Sequence, residues 1–278
     1  MQKATFSQFS SLAPPIVKEI LSEMPKLKLL ELVLRGFDQP AVYNLFRKAK
    51  GTLPTVETLV LGPHFESAIS LCPNVKAIST GDLGWQYSHV LGHQALGREE
   101  RDAMLSLISA AAKTDRLCCF AVMVAWNHTI LGVIAREMPE LLILTMYHGY
   151  YDCNIPYWTT TLARCTKLRC LAYVGTDINI WKHDYGRRFR GSTELQTTEP
   201  AWVLSAAMMQ ACPSIKDVFF GASTRMERVS DMEEEDSWYV VPARQSWGVC
   251  IRRHEEELPG VENLATRILG LQEGREAN

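Results

Sequence analysis

LPTVETLVLG, residues 53–62, carries an arrangement that returns five more times along the chain. The other copies are MPKLKLLELVLRG from Met24, CPNVKAISTG from Cys72, MPELLILTMYHG from Met138, CTKLRCLAYVG from Cys165 and CPSIKDVFFG from Cys212. Each can be counted from its Pro, which is replaced by Thr166 in the fifth copy. The residue before this anchor is always apolar: Met24, Leu53, Cys72, Met138, Cys165 and Cys212. Two residues on stand Leu27, Val56, Val75, Leu141, Leu168 and Ile215. Five on stand Leu30, Leu59, Ile78, Leu144, Leu171 and Val218, and seven on stand Leu32, Leu61, Thr80, Met146, Tyr173 and Phe220. A glycine then follows within a few residues: Gly36, Gly62, Gly81, Gly149, Gly175 or Gly221.

The last two apolar positions lie two residues apart, which is the period of one face of a strand. The glycine marks the point where the strand must turn. The Pro suits a residue just past a helix, where it stops the helix without removing a ladder bond. Helical spacing of apolar residues, as in Ile16, Ile20 and Leu21 or Val203, Ala207 and Met208, predicts helices upstream of the copies. The stretches concerned are 15–23, 41–50, 65–71, 129–137, 158–163 and 202–211. A unit of helix, Pro, strand and Gly turn cannot bury its apolar face alone, and stacked copies can.

The anchors 25, 54, 73, 139, 166 and 213 are separated by 29, 19, 66, 27 and 47 residues. Two of these gaps lie within the roughly 20–29 residues of leucine-rich repeats, and one falls just short. The longest gap predicts one or two decayed copies, with Leu117, Phe120 and Val122 of DRLCCFAVM as a candidate. The expected fold is α/β: an irregular leucine-rich-repeat-like solenoid with a parallel sheet on the concave face and helices on the convex face. It spans residues 1–225, with an insertion at about 177–200. Residues 226–278 change composition, through an acidic run at 231–236, apolar stretches at 238–242 and 247–251, and a polar tail. They are expected to supply a C-terminal cap and a disordered end, because a repeat array must not leave its last core face wet.

The phrases MPKLKLLEL, LPTVETLVLG and CPNVKAIST resemble the leucine-rich-repeat region of fungal F-box-type proteins, over roughly residues 12–221. The resemblance implies repeats that hold a protein substrate. In that family an N-terminal F-box recruits the adaptor of a ubiquitin ligase. Here Leu12-Ala13-Pro14-Pro15-Ile16 only faintly echoes the F-box opening, and residues 27–34 fit the repeat register better. The F-box itself is therefore expected to be absent or degenerate.

Composition narrows the function. The chain of 278 residues is 47% hydrophobic, with 29 basic and 31 acidic residues for a net charge of −2. That balance points to neither nucleic acid nor an anionic membrane as the main partner. Its longest apolar run, residues 118–126, is about half of what a spanning helix needs. The first ten residues lack a secretory apolar stretch, so an intracellular location, cytoplasmic or nuclear, is expected. The 8 cysteines are then reduced, and with no C-x2-C pair they do not suggest a zinc cage. Cys72, Cys165 and Cys212 share a slot with Met24, Leu53 and Met138, which marks them as small core residues.

Few constellations could carry chemistry. His89 and His93 would share one face of a helix, but Gly84 and Gly92 favour a loop. His148 and Cys153 could pair as base and nucleophile. In the context Tyr147, His148, Gly149, Tyr150, Tyr151 and Asp152 they read instead as an aromatic binding rim. Arg187, Arg188 and Arg190, with Trp181 and His183, form a basic cluster suited to an acidic peptide or a phosphate. Phosphate-loop, dinucleotide, serine-hydrolase and zinc-protease motifs are all missing. No catalytic residue, cofactor or metal is expected.

The expected role is a protein-protein interaction module whose partner is another protein. Six residues past each anchor stand Glu31, Val60, Ser79, Thr145, Ala172 and Phe219, expected to face outward from the sheet. Of these Glu31, Thr145 and Phe219, together with Tyr147, His148, Tyr150, Trp181, Arg187, Arg188 and Arg190, are the expected contact residues. The alternatives are an F-box-like substrate receptor of a ubiquitin ligase, and an accessory protein or enzyme of a fungal metabolic pathway.

Overall fold

Each copy of the repeat opens with the same tight turn. The amide two residues past the anchor donates to the carbonyl of the residue before it. The pairs are Leu27 to Met24 (3.0 Å), Val56 to Leu53 (3.2 Å), Val75 to Cys72 (3.1 Å), Leu141 to Met138 (3.2 Å), Leu168 to Cys165 (3.2 Å) and Ile215 to Cys212 (3.0 Å). The Pro stands second in this four-residue turn, where its fixed φ is already correct and its missing N–H goes unneeded. A seventh turn of the same kind, Leu117 to Thr114 at 3.3 Å, opens the decayed copy expected in the longest gap.

The structure is a computed structural model that describes residues 2–6, 24–33, 44, 46–47, 52–80, 87–90, 93–122, 128–147, 155–174, 208–220, 224–229 and 237–242. The chain divides into two compact units, Met1–Val124 with Trp247–Asn278, and Ala125–Ser246. The division falls inside the longest gap between copies, whereas composition changes only at 226.

In the first unit, strands β1 (Gln2–Phe6), β2 (Leu27–Leu32), β3 (Thr58–Leu61), β4 (Ala77–Thr80) and β7 (Cys119–Val122) pair in parallel in that order. The register sets Leu30 beside Leu59, Leu59 beside Ile78 and Ile78 beside Phe120. All four are fully buried. Equal offsets from the turn therefore become one rung of the core. The intervening strands β5 (Tyr87–Val90) and β6 (His93–Leu96) form a separate antiparallel hairpin. A 3-10 helix, Glu66–Leu71, buries Ala68, Ile69 and Leu71. Helix α1, Arg98–Ala111, buries Ala103, Met104, Leu107, Ile108 and Ala111, a stripe at helical spacing. This helix was not among those expected. With β7 it completes the decayed copy.

In the second unit, β8 (Ile143–Tyr147), β9 (Cys170–Val174) and β10 (Asp217–Phe220) are parallel, with Leu144, Leu171 and Val218 in one buried rung. Helix α2, His128–Glu137, and helix α3, Ile155–Leu162, precede β8 and β9. Residues 208–211 are helical before β10. Strand β11 (Thr224–Val229) turns back antiparallel on β10, and β12 (Ser237–Pro242) pairs antiparallel with β11. Hence the region expected as a cap, 226–278, begins inside β11 and continues with β12 beside it. The expected helix at 15–23, most of that at 41–50, the insertion at 177–200 and the stretch 247–251 lie outside the described residues.

Successive copies are tied at the position three residues past the anchor. Within the first unit Glu57 N–H donates to Lys28 O (3.0 Å), Lys76 to Glu57 (2.8 Å) and Cys118 to Lys76 (2.9 Å). Within the second, Arg169 donates to Leu142 (2.9 Å) and Lys216 to Arg169 (2.8 Å). Side chains repeat the pattern one residue past the anchor. Asn74 Nδ2 donates to Pro54 O (2.9 Å) and Ser214 Oγ to Leu168 O (2.8 Å), each reaching the preceding copy.

Candidate interaction surface

The connections β2 to β3, β3 to β4 and β4 to β7 all step the same way through parallel neighbours. Right-handed crossovers therefore place the connecting segments on one face of the sheet. The other face carries Leu29, Glu31, Thr58, Val60, Ala77, Ser79, Cys119 and Ala121. Sequence alone predicted that this face presents side chains to a partner. In the structure Val60 and Ser79, and Thr145 in the second unit, are each 4% exposed. Thr145 is therefore not an accessible contact residue, and Val60 and Ser79 do not face outward into water. The physical reason is that parallel strands are commonly covered on both faces, and small side chains allow close cover. Glu31 alone in this row of the first unit keeps partial exposure.

Among the described residues at the strand exits, His64 is exposed, while Val33, Pro63 and Phe65 are buried. Gly62 N–H donates to Leu32 O (2.8 Å), fastening the exit of β3 to that of β2. Two residues later His64 is exposed and adopts φ 66°, a left-handed backbone that a non-glycine residue takes up at a cost. It is held there by its neighbours. Pro63 and Phe65 are buried, and the Phe65 ring packs edge-on against Phe46 with centroids 5.8 Å apart. Sequence reasoning missed His64. Its signal is slight, because only the Gly-Pro pair before it hints at an unusual turn.

Tyr147 is the last residue of β8, and so stands at the strand-exit rim of the second unit. His148 and Tyr150 follow it outside the described residues, as do Trp181, Arg187, Arg188 and Arg190. Phe219 lies in β10, opposite Ala172 of β9. His89 and His93 are not helical neighbours. They sit in the hairpin opposite Gln94 and Val90 respectively, so the spacing that would join them on one helix face is lost.

The opposite rim, where strands begin, is a ladder of charge that the sequence held at a fixed offset: Lys28, Glu57 and Lys76, then Arg169 and Lys216. Lys28 Nζ meets Glu57 Oε1 at 2.5 Å, and Lys167 pairs with Glu140. Such part-exposed pairs fix register more than they add stability.

Burial pushes the thiols of Cys72 and Cys165 up to about 12, and for Cys165 the neighbouring Cys212 adds to the shift. The Cys118 thiol is raised by burial, with Lys76 pulling it partly back. Thiols that stay protonated are poor nucleophiles. In the Cys212 slot, Sγ lies 2.9 Å from Cys165 O and acts as a weak donor between copies. Thr58 Oγ1, fully buried, has no hydrogen-bond partner.

Among the described residues no helix is long and apolar enough to cross a membrane. Compared with known proteins, the chain matches no family model and no curated protein.

Proposed function

We propose that the chain is a leucine-rich-repeat-like solenoid of α/β coils serving as a protein-protein interaction module without catalytic chemistry. The observation that carries this is the repeated coil itself. Seven turns share the same kind of backbone bond, and within each unit equal offsets share one rung. An array of this kind offers a long row of equivalent rim positions, which suits a protein partner better than a small ligand. The contact residues are Glu31 on the sheet face and His64 at the strand exit of one unit, and Tyr147 at the strand exit of the other, with His148 and Tyr150 next to it in sequence. The Trp181, Arg187, Arg188 and Arg190 cluster adds a basic patch. The adaptor-recruiting reading draws less support, because Leu27–Leu32 is a parallel strand where a three-helix module would need helix.

The test uses a photo-crosslinking residue at His64 or at Tyr147 in the full chain. Both positions should capture the same protein partner. Glu31→Arg and His64→Gly should weaken binding of that partner about tenfold or more, with thermal unfolding unchanged or raised. Capture only from the polar side of α1, at Arg101 or Asp102, would refute the rim assignment.

A further inference from the structure

The chain continues for 36 residues beyond Pro242, the last residue of β12 (278 − 242). Within them, residues 258–266 read Leu-Pro-Gly-Val-Glu-Asn-Leu-Ala-Thr. They match residues 53–61 at five of nine positions: the Leu, the Pro, the Val, the Glu and the second Leu. Every slot of the repeat is filled. Leu258 precedes the anchor, Val261 stands two past it, Leu264 five past it, and Thr266 seven past it, as Thr80 does in the third copy. The same residues that fold into turn and strand at 53–61 are therefore set out a further time near the C-terminus.

A strand needs a neighbour, because its backbone donors and acceptors must be paired when it is buried. β10 cannot offer an edge to this copy, since β11 already pairs with it, and the other terminal strand, β12, belongs to the unit that does not take in residues 247–278. β1 can. It is a terminal strand, and among the described residues its one partner is β2. The compact unit that contains β1 also takes in Trp247–Asn278. β1 is itself in repeat register, with Ala4 opposite Leu30 and Phe6 opposite Leu32, so it occupies the five-past and seven-past rungs. An open parallel edge of this kind is a template for unwanted pairing unless something covers it.

We propose that residues 262–266 add in parallel to the outer edge of β1 in the same chain, with Leu264 opposite Ala4 and Thr266 opposite Phe6. The C-terminal copy thereby closes the first coil of the array. The inference rests on the coil geometry and not on the interaction role proposed above. Its failure would leave the rungs of β2, β3 and β4 as they are.

The experiment is amide hydrogen exchange on the full chain. Leu264→Asp should speed exchange of the amides of residues 3–6 about tenfold or more, while those of β3 and β4 keep their rates. Unchanged rates in β1 would overturn the proposal. Should Leu264→Asp unfold the whole chain, a photo-crosslinking residue at Thr5 in otherwise unaltered protein gives a second readout. Crosslinks to 262–266 within one chain are expected. With mixed isotopically heavy and light protein, crosslinks between heavy and light chains would show a second copy on that edge and refute closure in cis. Crosslinks that avoid 258–266 would refute it as well.

Discussion

Leu59→Ala tests the shared rung most directly. Leu59 is fully buried in β3, with Leu30 beside it on β2 and Ile78 beside it on β4. Truncating a buried leucine removes the transfer free energy of its outer carbons and leaves a cavity, together about 2.7–5 kcal/mol. The site cannot easily collapse, because both flanking side chains sit on strands fixed by ladder bonds. The loss should therefore fall at about 3–4 kcal/mol. With two compact units a single melting temperature would blur the effect, since two-state behaviour is not assured. Amide exchange of β2, β3 and β4 is the better assay. If those strands open together, 3–4 kcal/mol should speed their exchange by roughly a hundred- to a thousandfold, at about 1.4 kcal/mol per factor of ten. The double variant Leu59→Ala with Ile78→Ala should depart from additivity by about 0.5 kcal/mol or more, as contacting residues do. A loss below about 1 kcal/mol, or strict additivity, would refute the claim that equal offsets form one packed rung.

Three further outcomes follow from single features. Thr58→Val should stabilise the first unit by about 1 kcal/mol, because it replaces a buried hydroxyl without a partner by a methyl of similar size, and exchange rates in β3 would register it. An alanine at Gly132 in α2 would bring its Cβ to 2.6 Å from Tyr157 Oη of α3 but only 3.8 Å from the ring carbon behind it. Gly132→Ala should thus gain little alone and about 0.5–1 kcal/mol in the Tyr157→Phe background, measured by urea unfolding followed by circular dichroism. The thiols of Cys72 and Cys165 are held up to about 12 in the folded chain against an ordinary 9.0. Stability should then be flat with respect to these groups below pH 9 and fall between 9 and 12, where the unfolded thiols ionise and the folded ones do not, by on the order of 1 kcal/mol per pH unit for each. Thiol-reactive reagents should correspondingly label both cysteines only on unfolding.

The strands were legible because two independent marks coincide in each copy. The Pro or Thr anchor fixes where the turn lies, and apolar residues five and seven past it fix the buried face. Phe120 and Val122 could be found in a copy without Pro, since offsets from a turn survive when the turn residue does not. Helix α1 was harder. Its buried Ala103, Met104, Leu107, Ile108 and Ala111 are helically spaced, but no anchor follows them in the expected form. His64 was invisible, because a positive φ on a non-glycine residue is imposed by its surroundings and leaves no mark in the residue itself.

Sequence by itself determined the repeated unit: the turn, the strand behind it, the rung each apolar residue joins, and the burial of the cysteines that share a core slot. Each of these follows from spacing along one chain. Tertiary structure alone decided that the face opposite the core is buried as well. Val60, Ser79 and Thr145 alternate correctly to stand opposite the core, and nothing in a strand's period says whether a second layer covers that side. Cover depends on segments far away in sequence, and alternation is blind to distance. The proposed contact consequently moved from the sheet face toward the strand exit at His64, which is exposed.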